Sequence, residues 1–173
     1  MPDPDRPALL ARLRAARVVP VVRTSTAAHA ATVVGWLREA GISIFEITMT
    51  IPDAPALIRE LSSDPSLLVG AGTVRDAAAA KACLAAGARF LVAPWVDAAL
   101  AAPCRDVGAL LMLGALSPTE VRAAQALGRV FCPANRERDD LGGVARVHRW
   151  LSSRCGCVKK PSIFSVFKKN IKN

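Results

Sequence analysis

Glu46 interrupts an apolar run, Phe45-Glu46-Ile47-Thr48-Met49-Thr50, and a second run, Val69-Gly70-Ala71-Gly72-Thr73-Val74, follows it. A carboxylate in an apolar strand costs several kcal/mol unless it is solvated or paired, so Glu46 belongs at a mouth and not in a core. Strand alternation puts Ile44, Glu46 and Thr48 on one face and Phe45, Ile47 and Met49 on the other. The bulky set suits a helix layer, which turns Glu46 and Thr48 inward. A partly buried carboxyl has a raised pKa, suited to moving protons. A purely structural alternative is an ion pair with Arg23, which ends the run Val18-Val19-Pro20-Val21-Val22. Thr73 offers a hydroxyl to a carboxylate or carbonyl, and the small residues before it let a ligand approach the backbone. A tight turn that needs glycine would explain the same residues. Leu113-Gly114-Ala115-Leu116-Ser117-Pro118-Thr119-Glu120 reads as a glycine turn into a helix, with Ser117 and Glu120 as a capping box.

The elements that position these residues alternate in type. A first helix has Pro7 in its first turn and Leu9, Leu10 and Leu13 on one face. Strands are expected at Val18–Val22, Ile42–Thr48, Leu67–Ala71, Phe90–Ala93 and Ala109–Leu113, with a sixth beginning at Val130-Phe131-Cys132. Helices fall between them. One is capped by Thr24, Ser25 or Thr26 and closed by Gly41; one opens at Pro52-Asp53. Others span Ala77–Ala86, start at Asp97, and open at Pro118. Continuous apolar strands alternating with helices mean an α/β fold with a parallel sheet. A doubly wound open sheet and an incomplete (β/α)8 barrel of about six parallel strands both satisfy this. Arg23, Glu46, Thr73 and Pro94 all fall at carboxyl ends of strands, which favours the barrel. No G-x-G-x-x-G follows the first strand, which weakens a dinucleotide-binding reading.

Composition bounds the rest. The chain has 173 residues and a net charge of +9, enough for one domain with a sizeable core. The charge is unevenly placed. Residues 151–173 carry one Arg, five Lys and no acid, whereas residues 1–150 carry 16 Arg and a single lysine, Lys81. The shift divides the chain into a domain, 1–134, and a basic segment, 135–173, expected to be foreign to it and poorly ordered. A basic amphipathic helix over Ile163, Phe164, Phe167 and Ile171 and a Cys155-x-Cys157 site are weaker readings of that segment. The five cysteines fit neither a disulfide framework nor a zinc site. No apolar run is long enough to span a membrane, and the acidic start, Met1-Pro2-Asp3-Pro4-Asp5, lacks the apolar stretch of a secretory signal. A cytoplasmic protein with no nucleic-acid or membrane partner and no metal is expected.

Six segments then carry a resemblance in order. They are Pro20-Val21-Val22-Arg23, Phe45-Glu46-Ile47-Thr48, Gly70-Ala71-Gly72-Thr73-Val74, Gly87-Ala88-Arg89-Phe90 with Ala93-Pro94, Gly114 to Glu120, and Phe131-Cys132-Pro133-Ala134. Over about residues 5–134 the chain resembles the 2-keto-3-deoxy-6-phosphogluconate / 4-hydroxy-2-oxoglutarate aldolase family. The resemblance implies a (β/α)8 barrel, a homotrimer, no cofactor, and a class I aldolase that forms pyruvate and an aldehyde from a keto acid. It implies that Glu46 shuttles the proton. It also implies that Thr48, Thr50 and Thr73 hold the pyruvate carboxylate, with Arg23 and Pro94 at the mouth. The family's Schiff-base lysine opens a Lys-x-Phe-Pro-Ala motif, and here Val130 stands in its place. Lys81 is expected on a solvent-facing helix. Trp95 replaces a smaller or polar residue, and a Pro-Thr-Gly-Gly turn and a Gly-rich phosphate loop are missing from this sequence. Impaired catalysis is therefore expected; an inactive, truncated or frameshifted fragment, or a binding module on a half-barrel, is the alternative.

Overall fold

The computed structural model describes residues 5–16, 18–115, 117–127, 130–133 and 146–148, the last two stretches as backbone. Helix α1 (Asp5–Ala16) precedes β1 (Val19–Val22), and α2 (Ala27–Glu39) leads to β2 (Ile44–Thr48). Then come α3 (Ala54–Ser62), β3 (Leu68–Gly72), α4 (Ala77–Ala85) and β4 (Phe90–Ala93). A 3-10 turn (Ala98–Leu100) runs into α5 (Ala101–Asp106), followed by β5 (Leu110–Ala115), α6 (Pro118–Ala126), β6 (Val130–Pro133) and β7 (Arg146–His148).

The helices begin where side chains can satisfy their first N–H groups. Thr26 Oγ1 accepts from the His29 amide at 3.2 Å, and Asp76 Oδ1 accepts from the Ala79 amide at 2.8 Å. The capping box forms as the sequence predicts, with the Glu120 amide donating to Ser117 Oγ and the Ser117 amide donating to Glu120 Oε2. The helix expected from Asp97 is broken up. Asp97 Oδ1 takes the Ala99 amide at 2.8 Å, and a tight 3-10 turn comes before α5.

The sheet order is β6-β5-β4-β3-β2-β1-β7, with β1 to β6 parallel and in sequence order. A doubly wound sheet reverses its strand order at a switch point, and β1 to β6 contain no such reversal. The incomplete barrel is therefore the architecture observed. β7 pairs antiparallel with β1, Pro20 opposite Val147. It falls inside the 135–173 segment that composition sets apart.

Two apolar layers flank the strands. On the outer face Val22, Phe45, Ile47, Ala71, Leu91 and Leu111 pack against helix residues such as Val34, Leu37, Leu57, Ile58 and Cys83. Each large side chain so buried stabilises the fold by about 1.5–3 kcal/mol. On the inner face Ile44, Leu68, Phe90, Leu110 and Met112 pack with Leu9 and Leu13 of α1. All but Met112 lie in the amino-terminal halves of their strands. α1 therefore closes that end of the inner face and leaves the carboxyl ends as the mouth.

Candidate active site

Three register rows locate the mouth. Val21, Glu46, Gly70, Phe90 and Leu110 lie side by side across β1 to β5. Two residues further along the strands, Thr48, Gly72, Val92, Met112 and Val130 form a parallel row across β2 to β6. Between them runs the outward row that contains Ile47 and Ala71. Glu46 and Thr48 thus share the inner face, as alternation predicts. Val130 holds the register position beside Met112.

Glu46 is only 5% exposed. Burial pushes its pKa from an ordinary 4.5 up to about 8, and the nearby Arg23 charge pulls it partly back. Among the described residues no hydrogen bond or ion pair is made to its carboxyl, so the Arg23–Glu46 ion pair suggested by the sequence does not form. The guanidinium is taken up by hydroxyls instead. Arg23 Nη1 donates to Thr50 Oγ1 at 3.3 Å, and Nη2 donates to Thr73 Oγ1 at 3.0 Å.

The direction of the remaining hydrogen bonds follows from counting protons. The Thr48 hydroxyl donates to the Val22 carbonyl at 3.1 Å and lies 3.0 Å from Thr50 Oγ1. Its single proton is used on Val22, so Thr50 must donate to Thr48. A chain Arg23→Thr50→Thr48→Val22 results, each hydroxyl both accepting and donating. Thr73 accepts from Arg23 and keeps its own proton for a ligand. A guanidinium and a hydroxyl side by side suit a carboxylate.

The small residues of β3 have a different purpose from the one the sequence suggests. A Cβ on Gly70 would overlap the Phe90 ring, and one on Gly72 would overlap Glu46 Oε1. Neighbouring protein side chains fill these spaces, so the glycines do not leave bare backbone for a ligand. The left-handed residue of the turn is Thr73 itself, at φ 59°. A β-branched residue there is strained, at a cost of about 1–3 kcal/mol, and such strain collects at functional sites. The Gly-Ala-Gly-Thr string gave no sign of this, because glycine is the default for that conformation.

Pro94 is exposed at the end of β4, and its carbonyl lies so close to Gly114 that a Cβ there would overlap it. Lys81 is exposed on α4, as expected. The Cys155-x-Cys157 pair and the basic amphipathic stretch lie outside the described residues. Among the described residues no three His, Cys, Asp or Glu side chains come together as a metal site, and no helix is long and apolar enough to cross a membrane. A cavity of about 510 Å³ lies between α1 and the amino-terminal ends of β3 and β4, lined by Arg12, Ser62, Asp64 and Arg89 among others. It is at the opposite end of the strands from Glu46, Thr48 and Thr73.

Comparison with known proteins identifies the family. The chain is 34% identical over 139 residues to 2-dehydro-3-deoxy-phosphogluconate aldolase of Treponema pallidum (strain Nichols), covering 77% of this chain and 63% of the relative. It is 30% identical over 135 residues to the enzyme of the same name from Zymomonas mobilis, covering 76% and 63%. The chain thus spans less than two thirds of the length of these curated relatives. The solved structure of a 4-hydroxy-2-oxoglutarate aldolase/2-deydro-3-deoxyphosphogluconate aldolase superposes with a TM-score of 0.60 at 36% identity, covering 70% of this chain and 60% of that one. The family model for KDPG and KHG aldolases matches residues 9–152, a span that holds the whole mouth from Arg23 to Val130, and the chain belongs to that family.

Proposed function

We propose that this chain carries the keto-acid half of a class I aldolase site whose covalent step is impaired. The substrate class is that of 2-keto-3-deoxy-6-phosphogluconate or 4-hydroxy-2-oxoglutarate, and the products are pyruvate and an aldehyde. Arg23 and Thr73 bind the carboxylate, Thr48 and Thr50 hold Arg23 in place, and Pro94 borders the substrate. Glu46 is the proton shuttle. With a pKa of about 8 it carries a proton at neutral pH and gives it up at little cost. In cleavage, a base takes the proton of the 4-hydroxyl and the bond between carbons 3 and 4 breaks. Its electron pair flows toward carbon 2, and a proton returns to carbon 3. A lysine amine condensed with carbon 2, releasing water, makes that electron flow easy. Val130 has no amine to offer.

The buried Glu46 carboxyl beside the Arg23–Thr50–Thr73 set carries this reading. A second reading, a keto-acid binding module without turnover, is favoured by Val130 alone. We read residues 1–134 as the unit that carries the site and 135–173 as a basic segment beyond it, from which β7 joins the sheet. The assembly by family likeness is a homotrimer, measurable by light scattering, and the buried Cys83 thiol suits a reducing cytoplasm.

Borohydride reduction in the presence of labelled pyruvate tests the chemistry, and calorimetry with pyruvate tests the site. Pyruvate should bind without leaving a reducible adduct. A stable adduct on any lysine would overturn the impaired-nucleophile reading. Absence of pyruvate binding would overturn the site itself.

A further inference from the structure

The cavity at the amino-terminal ends of β3 and β4 is lined by three charged side chains, Arg12, Asp64 and Arg89, of which one is an acid. Asp64 is already committed. Its Oδ2 takes Arg38 Nη2 at 2.9 Å, and its Oδ1 accepts from the Ser66 amide at 2.9 Å and the Ser66 hydroxyl at 2.6 Å. Arg38 does not line the cavity, so the acid is balanced from outside it. Arg12 makes no ion pair among the described residues; its Nη2 donates to the neutral Ser66 carbonyl at 3.3 Å. Helical spacing sets Arg12 there. Ala8 and Leu9 lie one turn before it on α1 and line the same cavity, and Leu9 and Leu13 fix the helix against the inner face. Half-buried Arg89 stands just before β4 with its backbone held in the sheet. Its amide donates to the Val69 carbonyl at 2.9 Å, and its carbonyl accepts from the Leu110 amide at 3.1 Å. Ser62 uses its hydroxyl proton on the Gly87 carbonyl at 3.3 Å, which leaves the two guanidiniums as the donors.

We infer that this cavity binds a phosphate dianion, free or as the ester of a small organic molecule, between the Arg12 and Arg89 guanidiniums. A guanidinium is a planar fork that pairs with two oxygens of an oxyanion. A phosphate has the oxygens and the charge to meet both forks, whereas a monocarboxylate has two oxygens and one charge. A cleft whose uncommitted charges share one sign also concentrates ions of the other sign. The volume of about 510 Å³ falls within the ~300–1,000 Å³ typical of small-molecule sites. Ala8, Leu9 and Pro65 give an organic substituent an apolar wall. The site is separate from the keto-acid mouth, which lies at the other end of the strands.

Calorimetry on the full chain at fixed ionic strength, with inorganic phosphate, glycerol 1-phosphate and acetate, tests the inference. Phosphate should bind and acetate should not. A phosphate held by both arginines ties α1 to the sheet, so at ten times its dissociation constant it should raise the melting midpoint by about 3–6 °C. Arg12→Gln should weaken phosphate binding about tenfold or more, the loss of one charge-assisted pair. Ala8→Glu, which sets a carboxylate one helical turn from Arg12, should do the same. Both positions are exposed, so neither change disturbs the core. Arg23→Gln, at the mouth, should leave phosphate affinity unchanged. A tighter ester assigns an organic phosphate and equal affinities the free anion; either keeps the site. The inference is overturned if the parent chain binds neither phosphate, if acetate binds as tightly, or if the affinity survives Arg12→Gln or is lost with Arg23→Gln.

Discussion

Gly72 and the Glu46 carboxyl compete for one space: a Cβ on residue 72 would overlap Glu46 Oε1. The missing side chain on β3 lets an acid on β2 stay buried. Gly70, one step back on the same face, makes room for the Phe90 ring in the same way. The two neighbours differ in how easily they yield. A carboxyl at the end of a flexible chain can swing aside, whereas a ring packed among Ile44, Leu68 and Leu110 cannot.

Gly70→Ala should therefore cost about 1–3 kcal/mol of stability, the usual cost of overpacking. Gly72→Ala should cost less but move Glu46 toward solvent, lowering its pKa toward the ordinary carboxylate range. Urea denaturation ranks the first effect, and NMR titration of the Glu46 side chain reads the second. If Gly72→Ala proves the more destabilising and leaves the titration unchanged, the packing relationship is misjudged.

The raised pKa of Glu46 sets a pH dependence of stability. Between its ordinary 4.5 and about 8, the unfolded chain has released the proton that the folded chain still holds. Stability contributed by this group is whole below pH 4.5 and falls as pH rises, by up to about 1.4 kcal/mol per unit, until it levels off above pH 8. Glu46→Gln should remove this slope and become the more stable form at neutral pH. Parallel denaturation curves for the two proteins across pH 5–8 would count against burial as the cause.

Thr73 combines backbone strain with a hydroxyl that faces Arg23, and two substitutions separate them. Thr73→Gly relieves the left-handed strain but gives up the hydrogen bond and makes the unfolded chain more flexible, so stability should stay within about 1 kcal/mol of the parent. Thr73→Ala keeps the strain and loses the hydrogen bond, so stability should fall by about 0.5–1.5 kcal/mol. Both should weaken pyruvate binding. A glycine variant that binds pyruvate as well as the parent would remove Thr73 from the carboxylate site.

Much of this site is legible in the sequence, for identifiable reasons. Alternation along a strand is strict, so Phe45 and Ile47 on the outer face put Glu46 and Thr48 on the inner one. The positions of Arg23, Thr73 and Pro94 followed from apolar runs that stop at a strand's end. What stayed hidden depends on partners distant in sequence. Gly70 is small because of Phe90, and Gly72 because of Glu46, and nothing adjacent in sequence reports either contact. The face formed by Leu9, Leu10 and Leu13 was visible as a helix stripe, but its packing inside the strands at Leu68 and Phe90 was not. The lack of an Arg23–Glu46 ion pair was equally hidden, because Thr50 and Thr73 draw the guanidinium away through geometry that spacing does not encode.

Val130→Lys is the most demanding test of how these pieces combine. Position 130 shares a register row with Thr48, Gly72, Val92 and Met112, one inner-face step beyond the row of Glu46. The register puts an amine introduced there in the same row as Thr48 and Gly72. Borohydride should then trap a pyruvate adduct that the parent chain does not form. Turnover should nonetheless remain low, because a covalent nucleophile misplaced by about 1 Å can forfeit on the order of 100-fold in rate. Adding Glu46→Gln to Val130→Lys should leave the adduct but slow exchange of the pyruvate methyl protons by about 100-fold or more, since that exchange needs the proton shuttle. Mass spectrometry of the reduced protein and NMR of pyruvate in deuterated water read the two steps separately. Trapping without any dependence of exchange on Glu46 would keep the register argument and remove Glu46 from proton transfer. A lack of trapping in a folded Val130→Lys protein would mean that position 130 does not address the mouth.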